Sequence, residues 1–362
     1  MYAEFHAPSA MSLSPQTDLD AATQPLEAGS AAAQLHALLH TAGVAALDDL
    51  GWLRITGEDR VRWLNGMVTN SIQDLKPGEG NFNFILSAQG RIQGTATAFA
   101  LEDSILLQTD RTQLSSLTTT LDRFIIMDDV ELTSIEDLSG ILVAGPQALS
   151  IVMALGTADH QAAPCSPATQ APPPQAINLK QTLYAGAPVS LIQAFSPLIP
   201  RFEIWSDAFT IESLRTALTE AGAISIAPEP LEWLRILEGT PRYGTDIRDK
   251  ELPQETAQTR ALHFAKGCYL GQEIVERIRS RGAVHRTFAA FHLEGPLPAP
   301  GTPIEADDKS VGELTSTAAI PFTSGTVQIG LGYIRREALD RAAALTAADA
   351  KVVPISLPVR EP

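Results

Sequence analysis

The spacing of hydrophobic and polar positions changes several times along the chain. In AAAQLHALLHTAG, Leu35, Leu38 and Leu39 recur at helical spacing, with Ser30 as the N-terminal cap and Gly43 as the stop. GWLRITG reads as a strand. Thr56, Glu58 and Asp59 then mark the start of a second helix, EDRVRWLNGMVTN, in which Val61, Leu64 and Val68 share a face. Residues 81–108 predict a β-hairpin: FNFIL alternates, SAQGR turns, and IQGTATAFA followed by SILLQT returns. GEGNFN resembles half a dinucleotide fingerprint, but it leads into a strand and reads as the hairpin entry. A helix (RTQLSSLTTTLDRF) and a strand (IIMDDVELTSI) follow, then a strand (RFEIWS), a helix (IESLRTALTEAG) and a longer helix (EPLEWLRILEG) ended by Gly239. Helices and strands mix without strict βαβ alternation, so the expected class is α+β. From about residue 285 short strands and turns (RTFAAFHLEG, VGELTSTA, VQIGLGYIRREAL) predict a small β-barrel appended to the body.

Composition divides this pattern into domains. With 362 residues, 44% of them hydrophobic, the chain has material for two or three cores. Residues 1–30 read as a disordered tail, 31–282 as a body of two lobes, and 283–362 as the barrel. An Ala/Pro/Gln-rich insertion at about 156–180, with three prolines at 172–174, interrupts the body. The net charge of −16 excludes broad nucleic-acid binding. Two cysteines, Cys165 and Cys268, fit a reducing compartment without a disulfide between them. The first thirty residues hold Asp18, Asp20 and Glu27 and no continuous apolar run, and no later stretch has the length of a bilayer span. The expected location is cytoplasmic, with no membrane contact.

Candidate chemistry gathers in two places. There is no C-x-x-C, H-E-x-x-H, G-x-S-x-G, P-loop or metal-ligand spacing, so no metal site is expected. In KGCYLGQE, Lys266, a helix start near Gly271, and Arg277, Arg279 and Arg281 surround Cys268 with positive charge, the setting of reactive thiols. A small buried residue filling a gap beside Tyr269 and Leu270 is the competing reading. From Arg260 to Arg286 six basic residues face two acidic ones, a local +4 that predicts an anion site. Helical pairs such as Glu273 with Arg277 offer a plainer account, although Arg281 and Arg286 lack acidic neighbours in sequence. The second place is the loop at 237–255, where Tyr243 can stack on a planar ligand and Glu238 or Asp246 can accept from ring nitrogens. An ordinary helix stop with an Asp-capped turn explains the same composition.

The stretch KGCYLGQEIVERIRSRGAVHR resembles the signature of the YgfZ family, folate-binding relatives of the glycine-cleavage T-protein that maintain iron–sulfur proteins. ITGEDRVRWLNGMVTN, LSAQGRI, LRILEGTPRYGTDI and VGELTSTA look like further family segments. The resemblance implies a three-lobed fold around a central tetrahydrofolate cavity with a C-terminal barrel. It implies Cys268 as the functional thiol with Lys266, and Gly267, Tyr269, Gly271, Gln272, Glu273 and Arg277 as motif positions. Tyr243, Glu238, Asp246, Arg279 and Arg281 become the expected folate contacts. It also implies a role in assembly or repair of iron–sulfur clusters in client enzymes, with tRNA modification served through them and direct tRNA contact disfavoured. The alternative is a folate-dependent aminomethyltransferase. Against it, Gly94 and Thr95 occupy the place of the T-protein's catalytic aspartates, and C-Y-L-G replaces a D-F-I-G type loop. A family glutamate expected one position earlier meets Leu237, leaving the contact at Glu238 open by one residue. Whether the chain is an enzyme of another kind also stays open.

Overall fold

The computed structural model describes residue 27 and residues 29–156, 177–282, 284–341 and 344–361, with the Arg281 side chain excepted. Most of the 1–30 tail, Cys165 and most of the 156–180 insertion therefore lie outside the described residues. In chain order the elements of the body begin with α1 (Ala31–His40), β1 (Gly43–Ala46), β2 (Leu50–Thr56), α2 (Arg60–Met67), β3 (Glu79–Leu86), β4 (Ile92–Ala100), β5 (Ile105–Asp110), α3 (Arg111–Asp122) and β6 (Glu131–Ile135). They continue with β7 (Ser139–Ala144), α4 (Ala148–Ala154), β8 (Ile177–Tyr184), β9 (Ala187–Gln193), β10 (Arg201–Ser206), α5 (Ala208–Glu220), β11 (Ile224–Ser225), α6 (Pro228–Glu238) and α7 (Gln272–Arg281). The rest comprises β12 (Arg286–Glu294), β13 (Pro303–Ala306), β14 (Lys309–Phe322), β15 (Gly325–Arg335), α8 (Arg336–Asp340), β16 (Leu345–Ala347) and β17 (Ala350–Ile355).

The body is one sheet in the order β11-β1-β7-β10-β9-β8-β3-β4-β5-β2-β6, and β12–β17 close into a six-stranded barrel. Helices α2 and α3 cover one half of the sheet, burying Trp63, Leu64, Leu117 and Leu121 against Leu53, Ile85, Ala98 and Leu107. α4 and α5 cover the other half, with Val152, Leu214 and Leu218 against Val143, Phe202 and Ile204. A third core joins α1 and α6 to the barrel through Leu35, Trp233 and Leu237 against Phe288, Ile320 and Tyr333. This is the three-lobed α+β arrangement. Among the described residues no helix is long and apolar enough to cross a membrane.

Three local expectations change. Ser30 caps α1 by accepting from Ala33 N at 3.2 Å, but the helix ends before Gly43, which opens β1. Thr56 is not a helix start, because it still pairs with Glu131 in the β2–β6 ladder. The strand at IIMDDVELTSI shrinks to Glu131–Ile135, since β2 ends at Thr56 and leaves residues 125–130 without a ladder partner.

Candidate ligand cavity

Strands from both halves of the sheet, helix α6 and the segment after it enclose a cavity of about 290 Å³. α6 delivers its last residue there. Gly239 stops the helix at φ +66°, a left-handed turn that favours glycine, and a Cβ at that point would press on the Leu357 side chain at 2.2 Å. The helix phase then sends Leu237 into the barrel-facing core and Glu238 into the cavity wall. Of the two neighbouring positions, it is Glu238 that lines the cavity.

Glu238 is 8% exposed and accepts from the Ser196 hydroxyl. Burial pushes its pKa up, while the Ser196 hydrogen bond and the charges of Arg201 and Arg260 pull the other way. Arg260 sits between two rings, its guanidinium carbon 4.2 Å from the Phe82 centroid and 3.9 Å from that of Phe195. Burial brings its pKa down to about 10, opposed by Glu238. Its Nε donates to Gln258 at 3.2 Å. On the sheet side, Glu203 accepts from Gln108 Nε2 at 2.6 Å and from Trp205 Nε1 at 3.2 Å, fixing the Gln108 amide in the wall. Thr95 lines the cavity. Asp49, Asp110 and Arg242 are shared with an outer recess, where Arg242 pairs with Glu232 at 2.8 Å. Among the described residues no cluster of His, Cys, Asp and Glu is arranged to hold a metal ion.

The residues named from sequence divide sharply. Tyr243 lines the cavity and donates to Asp249 at 2.7 Å. Asp246 does not line it: fully buried, it pairs with Arg235 at 2.7 Å and accepts from Arg242 N, Thr315 and Ser316, so it has no acceptor left to offer. Arg279 is another correction, being spent on Glu276 at 2.8 Å and stacked 5.2 Å from the Phe264 ring, away from the cavity lining. The Arg281 side chain lies outside the described residues.

KGCYLGQE forms a separate structure beside the cavity. Lys266 Nζ donates to the carbonyls of Asn65, Val68 and Asn70 at 2.7, 2.7 and 2.6 Å, closing the end of α2. Burial draws its pKa down to about 7, against the charge of Asp74. These bonds make Lys266 a positioning residue, not a group aimed at a reacting atom. Leu270 N donates to Gly66 O at 3.0 Å, so the loop arches over α2 with Cys268 exposed on it and Tyr269 buried beneath. The gap-filling reading of Cys268 is thereby overturned. Gly271 has φ +80°, and a Cβ there would meet Ser87 O at 2.6 Å in the SAQGR turn. Gly267 is different, since a Cβ would meet nothing within 4 Å and its φ is not positive. Gln272 opens α7, with its backbone N–H donating to Tyr269 O at 3.1 Å. Glu273 pairs with Arg277 at 2.6 Å, and Arg286 pairs with Glu255 at 3.0 Å and Glu251 at 3.4 Å. The basic residues behind the expected anion site do not converge: Arg260 lies in the cavity wall, Lys266 on carbonyls, and Arg277, Arg279 and Arg286 on glutamates. Sequence reading missed Phe82, Phe195, Arg201, Gln108 and Glu203; Arg260 was visible only as one charge in a count.

Comparison with known proteins agrees with this architecture. Residues 16–266 match the family described as the GCVT N-terminal domain, and residues 285–358 match the CAF17 C-terminal beta-barrel domain. A chloroplastic protein of Arabidopsis thaliana named as a transferase is 27% identical over 304 residues, 82% of this chain and 66% of that relative. The tRNA-modifying protein YgfZ of Yersinia enterocolitica is 26% identical over 295 residues, 78% of this chain and 82% of that protein. The crystal structure of the glycine cleavage system aminomethyltransferase T from Bartonella henselae shares the fold, with a TM-score of 0.78 over 91% of this chain and 89% of that one at 15% identity. With a GCVT-type body, a CAF17-type barrel and YgfZ proteins among its relatives, this protein belongs to the YgfZ family within the GcvT superfamily.

Proposed function

We propose that the cavity binds tetrahydrofolate or a one-carbon derivative, and that the protein is an accessory factor for iron–sulfur proteins with Cys268 as its functional thiol. The observation that carries the reading is that buried Glu238 and ring-clamped Arg260 line the same cavity. The pyrimidine ring of a reduced pterin is flat, with N–H donors on one edge and a carbonyl beside them. A buried carboxylate accepts such donors, and the Arg260 Nη groups, which have no partner among the described residues, are suited to the carbonyl. The volume lies at the lower end of small-molecule sites, about 300–1,000 Å³. Tyr243 and Phe82 supply aromatic surface, and Gln108 a fixed amide. When bound, the folate would supply a one-carbon carrier.

Thr95 at the cavity wall weighs against aminomethyl transfer, because a hydroxyl cannot assist a reacting amine as a carboxylate does. Cys268 is exposed outside the cavity lining, a placement suited to a partner protein such as an iron–sulfur client or assembly factor. The name of the Yersinia relative points to tRNA modification. That role fits best through a client enzyme, given the net charge of −16 and the paired arginines of α7.

Calorimetric titration with tetrahydrofolate tests the cavity. Binding is expected, with Arg260→Met and Glu238→Gln each weakening it by about tenfold or more. Cys268→Ser should bind as the parent does, yet fail to complement a strain lacking this family. Undiminished binding by both cavity variants would displace the site. Formation of methylene-tetrahydrofolate from an aminomethyl donor would restore the transferase alternative.

A further inference from the structure

Strand β6 ends the sheet. It pairs with β2 on one side, and no described strand pairs with the other. The loop leading into it carries two of the three most exposed large apolar side chains of the described residues, Met127 at 93% and Ile126 at 82%, with Phe124 beside them at 37%. A loose loop would explain little, but this one is held at several points. Trp63 Nε1 donates to Phe124 O at 3.2 Å, Asp59 N to Asp129 O at 3.2 Å, and Asp129 N to Asp59 Oδ2 at 3.0 Å. Arg62 holds Asp128 at 2.6 Å, and Ile125 and Val130 pack against the core under α2 and α3. Ile126 and Met127 are thus turned outward by anchors on both sides, at an apolar exposure folding does not require.

The surroundings specify the partner. Residues 122–137 hold six acidic side chains and one basic, a net −5. Charge along an edge strand keeps copies of the chain from pairing with each other. The same charge repels nucleic acid and anionic membranes. It favours an extended segment that is both basic and apolar.

We infer that β6 and the 124–130 loop form a docking edge on which a basic, apolar segment of a partner protein adds as a strand, with its apolar side chains on Ile126 and Met127 and its cations on the acidic rim. Backbone pairing supplies the register, and the loop supplies selectivity. The inference is independent of the folate cavity.

The probe is a fluorescein-labelled peptide of five Lys-Val repeats, followed by anisotropy against the full chain. Binding is expected. It should weaken about tenfold or more in the double variant Ile126→Asp/Met127→Asp and in Asp122→Lys/Glu131→Lys, the usual scale for losing an interface anchor. All four side chains are exposed, so thermal unfolding should stay at the parent value and show that the variants fold. A Lys-Val peptide N-methylated at alternate amides should lose binding, as should the Glu-Val counterpart. Equal binding by the Ile126/Met127 variant, or by the N-methylated peptide, overturns the inference. So does binding of tRNA or phosphatidylserine vesicles that the same substitutions abolish.

Discussion

Ionising Glu238 costs stability, and the cost has a sign that can be measured. Its carboxyl titrates near 4.5 in the unfolded chain, and burial raises that value in the fold despite Ser196, Arg201 and Arg260. Between the two values the native state keeps a proton that the unfolded state has lost. Stability therefore falls as pH rises through that interval. Glu238→Gln removes the titration. The unfolding free energy of the parent minus that of the variant, from urea melts at a series of pH values upward from 4.5, should decline with pH and then level off. A difference that grows with pH would mean that Arg260 and Arg201 outweigh burial, leaving the carboxylate neutralised by its own fold and less available to a ligand.

At the scale of elements, two signatures read separately in sequence turn out to be one contact. SAQGR was legible as a turn because alternation stops and Gly90 permits φ +71°, and KGCYLGQE was legible as a loop before a helix. Their docking was not, because almost two hundred residues separate them and local periodicity holds no information about such pairs. A Cβ on Gly271 would meet Ser87 O and Gly90 Cα, and one on Gly90 would lie 2.7 Å from Ile274 Cβ, so each glycine makes room for the other segment. Gly271→Ala should cost about 1–3 kcal/mol from its positive φ, with the contact against Ser87 O adding to it. Gly267→Ala, in open space, should stay within about 0.5 kcal/mol. Paired urea melts decide it, and equal effects would show that the glycines serve something other than this docking.

Across the whole molecule, what was legible depended on whether partners were near in sequence. The pairing of Glu273 with Arg277 was visible, being one helical turn apart, whereas Arg286 looked free because Glu251 and Glu255 reach it from another segment. The cavity wall needs the strand order of the whole sheet to bring Phe82, Gln108, Phe195 and Arg201 together. Asp246 was misread for the same reason. Its loop suggested a ligand contact, but its partners Thr315 and Ser316 belong to β14, and with Arg235, which it pairs with and which itself donates to Ser316 at 2.8 Å, it links α6 to the barrel. Its own carboxylate is wholly buried; without it Arg235, 10% exposed, keeps only Glu232 as an acidic partner, and Arg242 N, Thr315 and Ser316 lose their acceptor. Asp246→Ala should accordingly destabilise the protein by about 3–5 kcal/mol. Asp249→Ala removes an exposed carboxylate that holds the Tyr243 hydroxyl, and should cost about 1 kcal/mol or less. Scanning calorimetry distinguishes two outcomes for Asp246→Ala. If this buried pair couples barrel to body, the melt should divide into two transitions as well as move to lower temperature. A single shifted transition would assign the coupling to the apolar contact of Trp233 and Leu237 with Phe288 and Tyr333.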